Sequence, residues 1–237
     1  MPIRGVLFDV DDTLFDYTGS DRVGVIAHLR AEGLIDAFPE PAAAFDLWHR
    51  IMVEEYTRFL NGELTFAQQQ RERARRFLAH AGPSEVSDDE AAAWFGRYTV
   101  LRNANWAAFP DAEPVLRKLA PDYRLGIVSN SSADHQRHKL DVIGLLPYVA
   151  DALVCSEQHG AAKPAASIFA AGCRALGLPP HEVAYVGDKY DLDAVGAREA
   201  GLRAYWLDRG RTASATTVEP GIRVLQTLDE LPAALID

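Results

Sequence analysis

The stretch Ile3-Arg4-Gly5-Val6-Leu7-Phe8-Asp9-Val10-Asp11-Asp12-Thr13-Leu14 passes from an apolar run directly into three carboxylates. Residues 3 to 9 lack helical spacing and read as a buried strand. Such a strand needs neighbours, and the next part of the chain does not supply them. From about Thr18 to Ala108 the sequence offers amphipathic helices instead, over Asp21 to Ala31, Ala42 to Phe59, Thr65 to Ala79 and Asp88 to Ala104. Breakers at Phe38-Pro39, Asn61-Gly62 and Gly82-Pro83 divide them. Thr65 is placed as an N-cap, and Ser87 with Glu90 three residues later has the form of a capping box.

Beyond Pro110 the texture changes. Apolar runs at Arg124 to Val128, Ala152 to Cys155, Ala184 to Val186 and Arg203 to Trp206 alternate with helical stretches. Those helices read as Glu113 to Leu119, Ala133 to Val142, Ala166 to Leu176 and Ala194 to Ala200. This alternation implies an α/β fold, a parallel sheet covered on both faces. The first strand joins that sheet, so the helical block is an insertion after it. The expected division is a core of residues 1–16 and 108–237 and a helical domain of residues 17–107. The stretch from Thr212 to Thr217 reads as a loop.

Composition narrows the class. The 237 residues suit one large domain or one and a half, with 48% hydrophobic and 24% charged residues as in soluble globular proteins. Two cysteines are too few for a disulfide framework. No apolar run approaches the length of a membrane span, and an acidic residue arrives too early for a signal peptide, so a cytoplasmic protein is expected. A net charge of -10 argues against nucleic acid and anionic membranes as partners. Small anions stay open, because an acidic chain can hold them through a metal.

In open parallel sheets, ligands sit beyond the carboxyl ends of the strands. The polar residues there are Asp9, Asp11, Asp12 and Thr13 after the first strand, Ser129-Asn130 after the second, Lys163 after the third, and Gly187-Asp188 with Asp193 after the fourth. Grouped carboxylates repel one another, and a hard divalent cation such as Mg2+ resolves that repulsion. Lys163 offers a compact positive charge to a phosphoryl oxygen, and Ser129 with nearby helix-opening amides can donate to the same group. One carboxylate is then free to attack phosphorus, and another to protonate the leaving oxygen and activate water. Asp9, at the end of the buried strand, is the better-fixed nucleophile. Asp11, two residues on and therefore on the same side of an extended chain, is the acid/base. For that role its pKa is expected to rise under the neighbouring negative charge.

The run Phe8-Asp9-Val10-Asp11-Asp12-Thr13-Leu14 resembles the DxDxT motif of the haloacid dehalogenase superfamily. Val128-Ser129-Asn130 looks like its second motif, Lys163-Pro164 its third, and Gly187-Asp188 with Asp193 its GDxxxxD block, followed by Gly196-Ala197 and Ala200-Gly201. The resemblance covers residues 1 to 17 and 107 to 210. It implies a Rossmann-like three-layer core with an all-helical cap inserted after the first motif, and a Mg2+-dependent phosphatase acting on a small phosphorylated metabolite. It also implies Asp9 as nucleophile and metal ligand, Asp11 as acid/base with its carbonyl on Mg2+, and Lys163 as a catalytic residue. Ser129, Asn130 and Lys163 would hold the phosphoryl group, Asp188 would bind the metal, and Asp193 would lie in its outer shell. One departure is Ala165-Ala166, where the family often has an acid after Lys-Pro; it bears on how the Lys163 loop is ordered.

Other residues have plainer readings. Arg71, Arg73, Arg75 and Arg76 suit a solvated helix face, with contact to the non-phosphoryl part of a substrate or to a second anionic group as the alternative; Arg71 and Arg75, four apart, share a face. Trp48, Trp94 and Trp106 suit packing between cap helices. His49, His80, His135 and His138 lack metal-ligand spacing, and Cys155 and Cys173 read as buried small hydrophobes. Asp191 suits a supporting role beside Asp188 and Asp193. Competing activities are a 2-haloacid dehalogenase, which would lack an acid at position 11, a phosphoryl mutase, and a receiver-like signalling module. A monomer or homodimer is expected.

Overall fold

The computed structural model describes residues 2–83, 85–213 and 217–236, apart from the side chain of Leu60. Six strands form one parallel sheet: β1 (Gly5–Phe8), β2 (Arg124–Ser129), β3 (Leu153–Cys155), β4 (Val183–Gly187), β5 (Arg203–Leu207) and β6 (Ile222–Leu225). Their order is β3-β2-β1-β4-β5-β6. Gly5 pairs with Arg124 on one side and Val183 on the other, so the first strand is central. Burial on both faces explains its unbroken apolar character.

The helices are α1 (Tyr17–Ala31), α2 (Pro41–Leu60), α3 (Phe66–Ala81), α4 (Asp88–Asn103), α5 (Ala112–Leu119), α6 (Ala133–Val142), α7 (Leu146–Val149), α8 (Ser156–His159), α9 (Ala166–Leu176), α10 (Gly196–Glu199) and α11 (Leu231–Ile236). Strand side chains alternate between the two faces of the sheet. Val6 and Phe8 pack with Val115 and Leu116 of α5, Leu140 of α6 and Leu231 of α11. Leu7 and Val128 pack oppositely, with Phe169 and Cys173 of α9. The core therefore has three layers. Strand β6 has no counterpart in the sequence reading: only Ile222 and Leu225 are buried, with Arg223 exposed between them.

The chain divides into two compact units, residues 1–17 with 106–237 and residues 18–105. Inside the first, Asp16 N–H donates to Ala107 (3.0 Å) and Phe109 N–H to Leu14 (2.9 Å), which ties outgoing and returning chain together. The second unit centres on Trp48, whose ring meets Phe77 at 5.5 Å, Trp94 at 5.7 Å and Tyr98 at 4.8 Å. Thr65 caps α3 and Ser87 caps α4, each in a complete capping box, with Gln68 and Glu90 as the reciprocal partners.

Two readings need revision. Trp106 packs against the core of the sheet-bearing unit. It meets Phe15 edge-on at 5.8 Å, with His135 and His138 at 5.9 and 5.7 Å, inside the sheet-bearing unit. The arginines are not simply solvated either. Arg71 pairs with Asp88 at 3.4 Å, Arg75 with Glu72 and Asp88, and Arg76 with Glu54 and Glu55. Arg73 is buried over the rings of Trp48 (4.5 Å) and Phe95 (5.2 Å). Of the stretch read as a loop near the C-terminus, residues 214–216 lie outside the described residues.

Candidate active site

Asp9 continues β1 by one hydrogen bond, its N–H donating to Val186 at 2.9 Å. The chain then turns sharply. Val10 carbonyl accepts from Leu14 (3.0 Å) and Phe15 (2.9 Å), and Val10, Leu14 and Phe15 are fully buried. Asp12 takes the left-handed conformation, φ 59°, which short polar residues tolerate best. Arg209 braces the turn from outside, donating to the Thr13 carbonyl at 2.9 Å while gripping both Asp111 oxygens at 2.9 Å. Apolar anchors thus leave the two carboxylates at positions 9 and 11 as the projecting chemistry of the loop.

Lys163 lies at the centre. Its Nζ donates to Asp9 Oδ1 at 2.7 Å, Asp193 Oδ1 at 2.7 Å and Tyr185 Oη at 3.0 Å. All three protons of the ammonium are therefore used, as a buried lysine requires. Tyr185 Oη stands 3.0 Å from both Asp193 Oδ1 and the Val128 carbonyl, and its single proton serves one of them. Asp193 Oδ2 accepts from the Lys189 backbone at 2.9 Å. Asn130 spends its side-chain amide on the Lys163 backbone, accepting from N–H at 2.7 Å and donating to the carbonyl at 3.1 Å. That clamp orders the Lys163 loop despite Ala165-Ala166, and it makes Asn130 a positioning residue for the lysine.

Strand β4 delivers the rest. A Cβ on Gly187 would stand 2.4 Å from Asp193 Cγ, so only glycine leaves room for that carboxylate. Asp193 itself rides on a tight turn of π-helical form over Tyr190–Val195. Ligand oxygens of Asp9, Asp188 and Asp193 all lie within 4.8 Å of one another. Asp188 Oδ1 is buried without a hydrogen-bond partner among the described residues. Three converging carboxylates and one orphaned oxygen fit a hard divalent cation. Asp191 is exposed and outside this cluster.

The electrostatics follow from burial. Asp9 is pushed up to about 6 by loss of water, against the pull of Lys163. Asp188 is pushed up to about 8, by burial first and then by the charge of Asp9. Lys163 rises well above its ordinary range, because Asp193 and Asp9 outweigh its own burial. The thiols of Cys155 and Cys173 are pushed by burial to about 12 and about 11, which leaves them unreactive.

Asp11 departs from expectation. Burial does push its pKa up, but the Lys139 ammonium and hydrogen bonds from Lys139 and Gln136 outweigh that and hold it below the usual carboxylate range. Lys139 Nζ pairs with Oδ1, and Gln136 Nε2 donates to Oδ2 at 3.0 Å. The negative neighbours visible in the sequence are thus not the ones that decide its charge. With both side-chain oxygens engaged, Asp11 stands outside the acidic cluster. Ser129, at the end of β2, accepts from the same Gln136 nitrogen at 3.0 Å. No motif in the sequence marks Gln136, Lys139 or Tyr185. Gln136 and Lys139 stand three apart on the helix that follows Ser129, a face-sharing pattern that points them out in retrospect.

Residues 3–201 match the haloacid dehalogenase-like hydrolase family. The chain belongs to this family. Among its relatives are the glyceraldehyde 3-phosphate phosphatase of Methanopyrus kandleri, 31% identical across 88% of this chain and 85% of that protein, and the phosphoserine phosphatase of Thermus thermophilus, 30% identical across 92% and 94%. The magnesium-bound HAD-hydrolase YfnB of Bacillus subtilis shares the fold over the full length of both chains, with a TM-score of 0.81 and 21% identity. Membership in the family makes the chain a hydrolase, and the strand-end carboxylates are the candidate site for that activity. No helix among the described residues is long and apolar enough to cross a membrane.

Proposed function

We propose that the chain is a Mg2+-dependent phosphatase of small phosphomonoesters, working through an aspartyl-phosphate on Asp9. The observation that carries this reading is Lys163, buried between Asp9 and Asp193 while Asp188 offers an unpartnered oxygen to the same space. Asp9 and Asp188 would hold the ion directly, with the Asp11 carbonyl. Asp193 would act from the outer shell, since both its oxygens already serve Lys163 and the Lys189 backbone. Bound Mg2+ supplies positive charge against the phosphoryl oxygens.

An Asp9 oxygen attacks phosphorus, and the bond from phosphorus to the ester oxygen breaks. The leaving oxygen takes a proton through Asp11, which is ionised in the free protein and would gain that proton from solvent as the bound ester displaces its Lys139 and Gln136 contacts. Water then attacks the aspartyl-phosphate, Asp11 takes its proton, phosphate departs and Asp9 is restored. Ser129 would hold the phosphoryl oxygens in both steps, joined by Lys163 once its ammonium gives up the contact with Tyr185. The helical insertion, entered directly after the acidic loop, is the cap that selects the substrate. A cytoplasmic monomer or homodimer completes the reading.

The test is a panel of nucleoside monophosphates, sugar phosphates and phosphoglycolate, assayed for phosphate release with Mg2+ and with excess chelator. Turnover of phosphate esters that chelation abolishes is expected. Halide release from 2-haloacids surviving full chelation would instead make the chain a dehalogenase, and a stable phospho-aspartate without turnover would make it a receiver-like module.

A further inference from the structure

Resting on the phosphatase reading, one cluster beside the site has no role in it so far. Lys139 is 2% exposed and Gln136 is fully buried. Lysine is almost never buried without a partner. Here the partner is Asp11, and the ammonium also stands 4.6 Å from the Phe15 ring centroid. Gln136 Nε2 donates one hydrogen to Asp11 Oδ2 and the other to Ser129 Oγ, each at 3.0 Å. A carboxylate only accepts, so Asp11 fixes which end of the Gln136 amide faces it. Gln136 Oε1 is left without a hydrogen-bond partner among the described residues.

Two consequences follow. Each oxygen of Asp11 has its own donor, so the side chain keeps one orientation until a substrate oxygen competes for it. Ser129 Oγ is occupied as an acceptor, which leaves its hydroxyl proton to be donated to something else. We propose that Gln136 and Lys139 are positioning residues that set the Asp11 carboxylate and the Ser129 hydroxyl as one unit, with Lys139 acting through Asp11 alone and Gln136 through both. The leaving group and the phosphoryl group are thereby registered from a single face of α6.

The two residues separate by experiment. With Mg2+ saturating, kcat and KM are measured for p-nitrophenyl phosphate, whose leaving phenolate needs little protonation, and for phenyl phosphate, whose leaving group needs more. Lys139→Met frees the Asp11 carboxylate from its fixed orientation, a loss that should outweigh its easier protonation without the cation and lower kcat/KM for phenyl phosphate about tenfold more than for p-nitrophenyl phosphate. Lys139→Arg, which keeps the cation, should recover most of that difference. In the background of Asp11→Asn, Lys139→Met should cost nothing further. Gln136→Leu should add a raised KM for both substrates and weaker binding of inorganic phosphate by calorimetry, which Lys139→Met leaves within about twofold. Equal losses on both substrates for Lys139→Met, full additivity with Asp11→Asn, or unchanged phosphate binding in Gln136→Leu would overturn the proposal. Should Lys139→Met fail to fold, Lys139→Arg and Gln136→Leu still decide it. A wild-type protein that hydrolyses neither ester sinks the phosphatase reading instead, and phosphate binding then still tests Gln136.

Discussion

Lys163 Nζ lies 2.7 Å from Asp9 Oδ1 although 154 residues separate the two in the chain. The proposed nucleophile therefore carries its own counterion, and it shares that counterion with Asp193. One ammonium facing two buried carboxylates leaves the trio with net negative charge, before Asp188 is counted. Lys189 brings a second ammonium to Asp9, Asp188 and Asp193, and a divalent cation would offset the negative charge that is left.

Removing the ammonium should be severe. Lys163→Met keeps much of the side-chain volume but leaves Asp9 and Asp193 buried without their partner. A loss of about 3–5 kcal/mol in stability is expected for the metal-free protein, from denaturant unfolding. Saturating Mg2+ should return part of it, because the ion takes over some of the missing charge. Turnover should not return.

Asp9→Asn should leave the fold intact and reduce turnover by at least about a thousandfold, since the amide oxygen cannot form the covalent intermediate. Circular dichroism checks the fold and phosphate release checks the loss. Full activity, with mass spectrometry excluding deamidation back to Asp, would refute the mechanism.

Stability should depend on pH in a direction set by the raised carboxylates. Asp9 and Asp188 are held at about 6 and about 8 in the folded protein, against 3.8 for an unperturbed aspartate. Between these values the folded state binds protons that the unfolded state has released. Stability of the metal-free protein therefore falls as pH rises, and the loss is complete above about pH 8. Mg2+ replaces those protons, so the rise in Tm on adding it should be larger near pH 8.5 than near pH 6. Asp188→Asn should flatten both trends. A Mg2+ effect that shrinks with rising pH would contradict the assignment.

Gly187→Ala tests the packing beneath the metal-facing carboxylates. The new methyl group would stand 2.4 Å from Asp193 Cγ and 2.6 Å from its Cβ, which forces the side chain away from Lys163. Metal affinity should weaken roughly 10–100-fold, as for other disturbed outer-shell ligands. Titration calorimetry reads it directly.

The strand ends were legible in the sequence because each motif is local: an apolar run, then a polar residue at the point where the run stops. The capping boxes at Thr65 and Ser87 were legible for the same reason. What escaped depends on distant register. The charge state of Asp11 is set by Lys139, whose approach follows from where α6 docks against the end of β1, and no spacing in the sequence encodes that. The side-chain amide of Asn130 turns to the Lys163 backbone, a partner visible only once β2 and the third loop are side by side. Trp106 looked like a cap residue by position and proves to be held by Phe15. Strand β6 was missed because an edge strand with one polar face shows only two buried side chains.

The central place of β1 also bears on how the molecule is made. Gly5–Phe8 is synthesised before the strands that flank it, which begin at Arg124 and Val183. Through about the first half of translation this fully apolar segment has no pairing partner, and the helical unit of residues 18–105 is synthesised before one appears. The sheet must then close by long-range pairing around a strand that has waited longest, a topology that folds slowly and exposes unpaired strand edges on the way. The strand that leads into the acidic loop is thus made first and paired late.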